Sequence, residues 1–218
     1  MIRKTLPLIL LLSAGTALAQ ARDHAPVGLS YAGRLSHDRG ESWNYSKPNL
    51  DLRKYHSIIV DRTAVYGGAD AQFDGIDQGD RQKFAAMTTE ALTSEIGKAF
   101  PVVSRPGPGV VRLKMTLLGV DKTTGGVATA TRVTPIGFAM SAVKSIRGKQ
   151  GTFTGSVLYA VELTDARTGE LLIAAVRRMT PDALDVPATL GTNETIKAVA
   201  RTSAKRIRER LQARMGHK

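Results

Sequence analysis

Hydrophobic and polar positions alternate most cleanly between Val110 and Val120, where Val111, Leu113, Met115 and Leu117 share one face and Arg112, Lys114 and Thr116 the other. A period of two is that of a half-buried strand, because successive side chains point to opposite faces of a sheet. A second alternating run sets Phe153, Val157, Tyr159, Val161 and Leu163 against Thr154, Ser156, Ala160, Glu162 and Thr164, and the apolar stretch Glu170 to Val176 follows it. Between them stands Asp165-Ala166-Arg167-Thr168-Gly169. Asp opens a type I turn and Gly supplies a left-handed closing residue, so the pair predicts an antiparallel hairpin. Ile58, Ile59, Val60, Ala64, Val65 and Tyr66 form another β-rich run, ended by Gly67 and Gly68.

Helical spacing takes over elsewhere. Phe84, Met87, Ala91, Leu92 and Ile96 recur every three or four residues after Asp77, an N-cap residue type, and predict a helix to about Ala99. Ile196, Val199, Ala200, Ser203, Ile207 and Leu211 form one stripe of a C-terminal helix over about Asn193 to Met215. A short helix is expected over Pro135 to Ile146, after a Gly/Thr loop at Thr123 to Thr131. Residues 20–49 show no sustained period and read as an extended arm, anchored by Leu29, Tyr31, Leu35, Trp43 and Tyr45. Hairpin-joined strands with helices to cover one sheet face predict an α+β fold: a two-layer, mainly antiparallel sheet of about four or five strands with two main helices packed on one face. No βαβ repetition supports a doubly wound nucleotide fold. Residues 50–218 are expected to form a single domain.

The chain has 218 residues, and its first nineteen carry the marks of a secretory signal: basic Arg3 and Lys4, apolar Leu6 to Leu12, and small residues at Ala17 and Ala19. Cleavage is expected after Ala19. The apolar run is shorter than the roughly 20 residues a membrane-spanning helix needs, and no later run reaches that length. With no cysteine, the chain has neither disulfides nor a thiolate nucleophile, and the acylated cysteine of a lipoprotein is replaced by Gln20. The expected location is therefore the periplasm or the medium.

Several short motifs occur in order: Tyr31-Ala32-Gly33-Arg34-Leu35-Ser36, Pro48-Asn49-Leu50-Asp51-Leu52, Phe100-Pro101-Val102-Val103, the Pro106-to-Gly109 turn, and Gly155-Ser156 leading to Asp165-to-Glu170. Over about residues 29–215 the chain thereby resembles the DUF3313 family of bacterial envelope proteins, domains of unknown function usually found as lipoproteins. The resemblance implies an envelope location and no particular reaction. Gln20 departs from the lipoprotein pattern.

Candidate chemistry is sparse. His24, His37, His56 and His217 are scattered without metal-ligand spacing, and Asp70, Asp74, Asp77 and Asp80 lack the alternating ligand order of an EF-hand and read as a solvated loop plus helix cap. Ser156 lies in a strand with no nucleophile elbow, and Pro108 deprives the Gly107-Pro108-Gly109 turn of an N–H a phosphate cradle needs. No catalytic residue, metal or cofactor is expected. The alternative to a non-enzymatic protein is a hydrolase of cell-wall or lipid material using paired carboxylates such as Asp61, Asp74 or Glu162.

Charge is the one global feature that asks for a partner. Lys and Arg number 31 against 19 Asp and Glu, a formal charge of +12, which removal of Arg3 and Lys4 lowers by two. Lys197, Arg201, Lys205 and Arg208 lie on the last helix outside its apolar stripe and are the candidate binding residues for an anionic partner. Export takes the chain away from nucleic acid. That leaves lipopolysaccharide, peptidoglycan, lipid headgroups or another envelope protein as expected partners.

Overall fold

A computed structural model gives the fold and describes residues 25–38, 42–73, 75–121, 156–179 and 192–216. Among the described residues seven strands form one sheet: β1 (Ser36–Asp38), β2 (Ser42–Ser46), β3 (Ser57–Val60), β4 (Ala64–Val65), β5 (Val110–Asp121), β6 (Ser156–Asp165) and β7 (Leu171–Met179). Two long helices accompany them, α1 (Gln78–Ile96) and α2 (Thr192–Met215). The sheet order is β1-β2-β7-β6-β5-β3, with β4 also paired to β5. All pairings are antiparallel except those of β3 and β4 with β5. The fold is thus the α+β class expected, with a sheet larger than four or five strands.

Two sources account for the difference. The segment read as an arm supplies β1 and β2, and β2 runs from Ser42 opposite Arg177 to Ser46 opposite Ile173. The single run expected from Ile58 to Tyr66 is two strands: β3 pairs with Val110 to Leu113, and β4 rejoins the same neighbour at Thr116 and Leu117. In the gap Asp61 turns its carboxylate to Arg112 of β5 at 2.5 Å. The short helix expected at Pro135 to Ile146 and the Gly/Thr loop before it lie outside the described residues.

Local chemistry explains the boundaries. Asp77 Oδ1 accepts from the Asp80 N–H at 2.9 Å and caps α1, which ends at Gly97. In the β6–β7 turn, Asp165 Oδ1 accepts from the N–H groups of Arg167 and Thr168 at 3.0 and 2.9 Å, and Gly169 takes φ +75°. At Gly119, where β5 bulges against β6, an added Cβ would lie 2.6 Å from the Cβ and carbonyl oxygen of Gln72, so the close approach requires glycine.

Both helices bury their apolar stripes on one sheet face. Leu92 and Ile96 of α1 and Ala204, Leu211 and Met215 of α2 meet Val111, Leu113 and Met115 of β5. Each fully buried Leu or Ile contributes ~1.5–3 kcal/mol relative to exposure. The opposite face is not bare, because residues 25–35 and Tyr66 cover it, burying Trp43, Leu118, Leu158 and Val176 in one cluster and Tyr31 on Leu171 and Ala174 in another. Tyr66 Oη donates to Asp70 Oδ1 at 2.7 Å and accepts from the Gly28 N–H at 2.9 Å, while Asp70 Oδ2 accepts from the Val27 N–H at 3.0 Å. Asp70 is thus a clasp for the N-terminal segment.

Candidate functional site

The basic helix is built on a buried stripe of Val199, Ala200, Ser203, Ala204, Leu211 and Met215. Ser203 does not disturb that stripe, since its Oγ donates back to the Val199 carbonyl at 2.7 Å. Of the four candidate residues, Lys197, Arg201 and Lys205 are exposed. Arg208 is not: its side chain is 17% exposed and its Nη1 lies 2.8 Å from Oε2 of Glu95, itself 13% exposed, on α1. The helical layer explains the difference, because Arg208 faces the seam with α1 and finds there a carboxylate that also accepts from Lys98. Its role in the described structure is to tie the two helices together.

Other cations extend the surface. Arg206, Arg210 and Arg214 are exposed on α2. Arg206 and Arg210, with Arg177 of β7, act electrostatically on the buried Tyr159 hydroxyl: burial pushes its pKa up, and the three guanidinium groups pull against that rise. Arg177 is held by the Trp43 and Val176 carbonyls at 3.2 and 3.0 Å and by Asn44. Sequence reasoning missed Arg177; the Arg177-Arg178 pair in an otherwise apolar strand is the signal that could have found it, whereas its action with Arg206 and Arg210 on one tyrosine follows from the fold.

Acids are distributed differently. On and around the sheet, Glu162 pairs with Lys114 at 2.8 Å, Glu170 with Lys47 at 2.6 Å and Asp51 with Arg53 at 3.0 Å. Arg53 holds the Asp51 carboxyl below its usual range. On the helical layer, Asp80 pairs with Lys83 at 3.4 Å and Glu209 lies 3.5 Å from Arg208 and 3.9 Å from Lys205, while Glu90 is exposed. Most of the described acids are thus paired within the fold, and of the two helices it is α2 that carries a surplus of cations.

The two described carboxylates considered for catalysis are each bonded to a cation. Asp61 is bonded to Arg112 and Glu162 to Lys114, neighbouring cations on one face of β5; Asp74 lies outside the described residues. Asp77 is the α1 cap, and Ser156 Oγ accepts from Arg178 Nη1 at 2.8 Å. His37 packs on the Trp43 ring with centroids 5.4 Å apart, and His56 Nδ1 lies 3.0 Å from Ser57 Oγ; His24 and His217 lie outside the described residues. Among the described residues no three His, Asp or Glu side chains are grouped to hold a metal ion, and no helix is long and apolar enough to cross a membrane. An apolar cavity of ≈ 40 Å³ lies between α1, α2 and the sheet, lined by Phe84, Met115, Leu117, Tyr159 and Val199 among others. Of its lining hydroxyls, those of Thr88 and Ser203 donate to carbonyls of their own helices, and Tyr159 supplies a third.

Residues 29–207 match the family described as a protein of unknown function, DUF3313. Comparison with the curated proteins finds no match. Among solved structures, a point variant of the PelC dodecamer from Paraburkholderia phytofirmans is similar at a TM-score of 0.41 and 17% identity, covering 79% of this chain and 97% of that one. A PDZ domain protein from Parabacteroides distasonis gives a TM-score of 0.41 at 12% identity, over 79% of this chain and 35% of that one. A DUF4136 family protein from Bacteroides thetaiotaomicron gives 0.36 at 8% identity, over 82% and 97%. At these values the likenesses assign no ligand, activity or assembly.

Proposed function

The chain belongs to the DUF3313 family of proteins of unknown function, and from its geometry we propose that it is a non-enzymatic binding or assembly protein of the bacterial cell envelope that contacts an anionic partner through α2. The observation that carries this reading is the separation of charge: Arg201, Lys205, Arg210 and Arg214 are exposed on one helix, while the acids of the sheet side are bonded to their own neighbours. Opposite charge in solution is what such a surface attracts, with an effect that salt screens over about 10 Å at 0.1 M. The signal-like residues 1–19 favour export, which makes an envelope component the relevant anion and removes nucleic acid. The hydrolase alternative has less support, since Asp61 and Glu162 are each neutralised by a cation of β5 and a general acid–base pair must meet in one cleft.

A photocrosslinking residue at position 209 spares every basic residue of α2, and one at position 164 samples the opposite sheet face. The reading expects adducts in intact envelopes from position 209 that disappear at high salt. Adducts from position 164 alone, or adducts from position 209 indifferent to salt, would contradict it.

A further inference from the structure

Resting on that reading and deepening it, we infer that the anionic partner presents a phosphate monoester group, held between α2 and β7 by Arg177, Arg206 and Arg210. Two contacts fix how the helix lies along the strand. At one end Ser203 Oγ lies 3.0 Å from Sδ of Met179, the last residue of β7. At the other, Arg214 shares a hollow of ≈ 400 Å³ with Ser46, Leu50 and Arg53, and Ser46 is the register partner of Ile173 near the start of β7. The helix therefore runs antiparallel to β7. Arg177 stands about 6–7 Å before Met179 along the strand, which brings it level with the turn beginning at Arg206, about 4.5 Å past Ser203. Arg206 and Arg210 are one turn apart, about 6 Å of rise, on the side of α2 that Arg214 continues.

The sheet supplies the floor. Tyr159 of β6 is directly opposite Arg177 of β7, so the two side chains are neighbours on one face. Arg177 is held in place by the Trp43 and Val176 carbonyls and by Asn44. Arg206 and Arg210 are exposed, and together with Arg177 they act on the one Tyr159 hydroxyl, so three guanidinium charges bear on one small region. That hydroxyl has no hydrogen-bond partner among the described residues, although the side chain is only 8% exposed, and it is placed to donate to a ligand oxygen. Of the described acids, Glu209 is turned to Arg208 and Lys205, Asp51 is bonded to Arg53, and Glu162 stands on the other face of β6 beside Lys114. Convergent cations select a compact anion of more than one charge. A carboxylate carries one, whereas a phosphate monoester carries nearly two at neutral pH and offers three acceptor oxygens to paired N–H donors.

The test is calorimetric titration of the exported full chain with glycerol 3-phosphate, beside acetate and beside glycerol. The expected result is saturable binding of glycerol 3-phosphate alone, weakened about tenfold or more in an Arg206→Gln, Arg210→Gln variant. An Arg201→Gln, Lys205→Gln variant removes as much charge from the side of α2 turned away from Arg210, and is expected to bind within about twofold of the natural chain. All four side chains are exposed, and an unchanged urea midpoint shows each variant to be folded. Equal weakening by the two variants, or equal binding of acetate, overturns the site. Failure to bind glycerol 3-phosphate while retention on an envelope fraction stays salt-dependent overturns the site and leaves the anionic-partner reading standing; loss of that salt dependence as well overturns both. Phosphatidylcholine vesicles carrying phosphatidic acid identify the source. Sedimentation competed by glycerol 3-phosphate supports the inference with a lipid headgroup as ligand, and binding of the soluble ester without sedimentation supports it with a free phosphate ester.

Discussion

Arg208 of α2 and Glu95 of α1 meet at 2.8 Å in the seam between the helices, with little of either side chain open to solvent. The pair converts one residue of a basic helix from a surface charge into a structural link. It also separates two classes of arginine on α2 that differ only in which way the helix turns them.

The first expectation follows from that difference. Arg208→Ala leaves the Glu95 carboxylate half-buried with Lys98 as its remaining partner, and is expected to destabilise the fold by ~1–3 kcal/mol, between the costs of exposed and fully buried pairs. Arg201→Ala, at an exposed position, is expected to change stability by no more than about 0.5 kcal/mol. Urea unfolding of the two variants decides the matter, and equal midpoints would place Arg208 with the surface charges.

Asp165 sets a pH dependence. Burial raises its pKa, but hydrogen bonds from the Thr168 N–H, the Tyr55 hydroxyl and the Arg167 N–H outweigh that and hold it at about 2. Its unfolded value is ~3.9, so the stabilisation is complete above that pH and is lost as pH falls through the folded value. The urea midpoint of the natural chain is therefore expected to drop between about pH 4 and pH 2. In Asp165→Asn the drop over that window is smaller. An unchanged profile would mean that the turn carboxylate is not linked to folding.

Glycine is required at 119 and not at 33. A Cβ at position 119 would strike Gln72 side chain and backbone at 2.6 Å, whereas nothing lies within 4 Å of one at position 33. Gly119→Ala is expected to cost ~1–3 kcal/mol by overpacking, and Gly33→Ala to be near neutral. Thermal denaturation of both reads the contrast.

Tyr66 fastens the N-terminal segment. Tyr66→Phe removes the bond to Asp70 and the acceptor for the Gly28 N–H, an effect of ~1 kcal/mol expected locally. Amide exchange at Val27 and Gly28 should accelerate while that of β5 and β6 stays unchanged. Unchanged exchange at Gly28 would show that the apolar contacts of Leu29, Tyr31 and Leu35 suffice to hold the segment.

Much of this architecture is legible in the residues, and its limits have physical causes. The period-two face of Val111, Leu113, Met115 and Leu117, the Asp77 cap and the Asp165-to-Gly169 turn are local signals, and each element appears close to its expected bounds. β2 was hidden because Trp43 and Tyr45 make too short an alternation, and its partner β7 lies some 130 residues away in sequence. The break between β3 and β4 holds Asp61 against Arg112 and the Thr63 N–H on Thr89 of α1, partners far off in sequence that no local pattern reveals. The inward turn of Arg208 was hidden likewise: the helical period places it beside Lys197, Arg201 and Lys205, and only the parallel packing of α1 supplies Glu95.

Retention on an isolated envelope fraction, measured across a salt titration for the natural chain and for Arg201→Glu, Lys205→Glu, tests the anionic interface most directly. Retention of the natural chain is expected to fall steeply with salt, and the variant, equally stable to urea, to be weakly retained at every salt concentration. Equal retention of the two proteins, with no dependence on salt, would show that α2 is a solvated face and that the partner is recognised elsewhere.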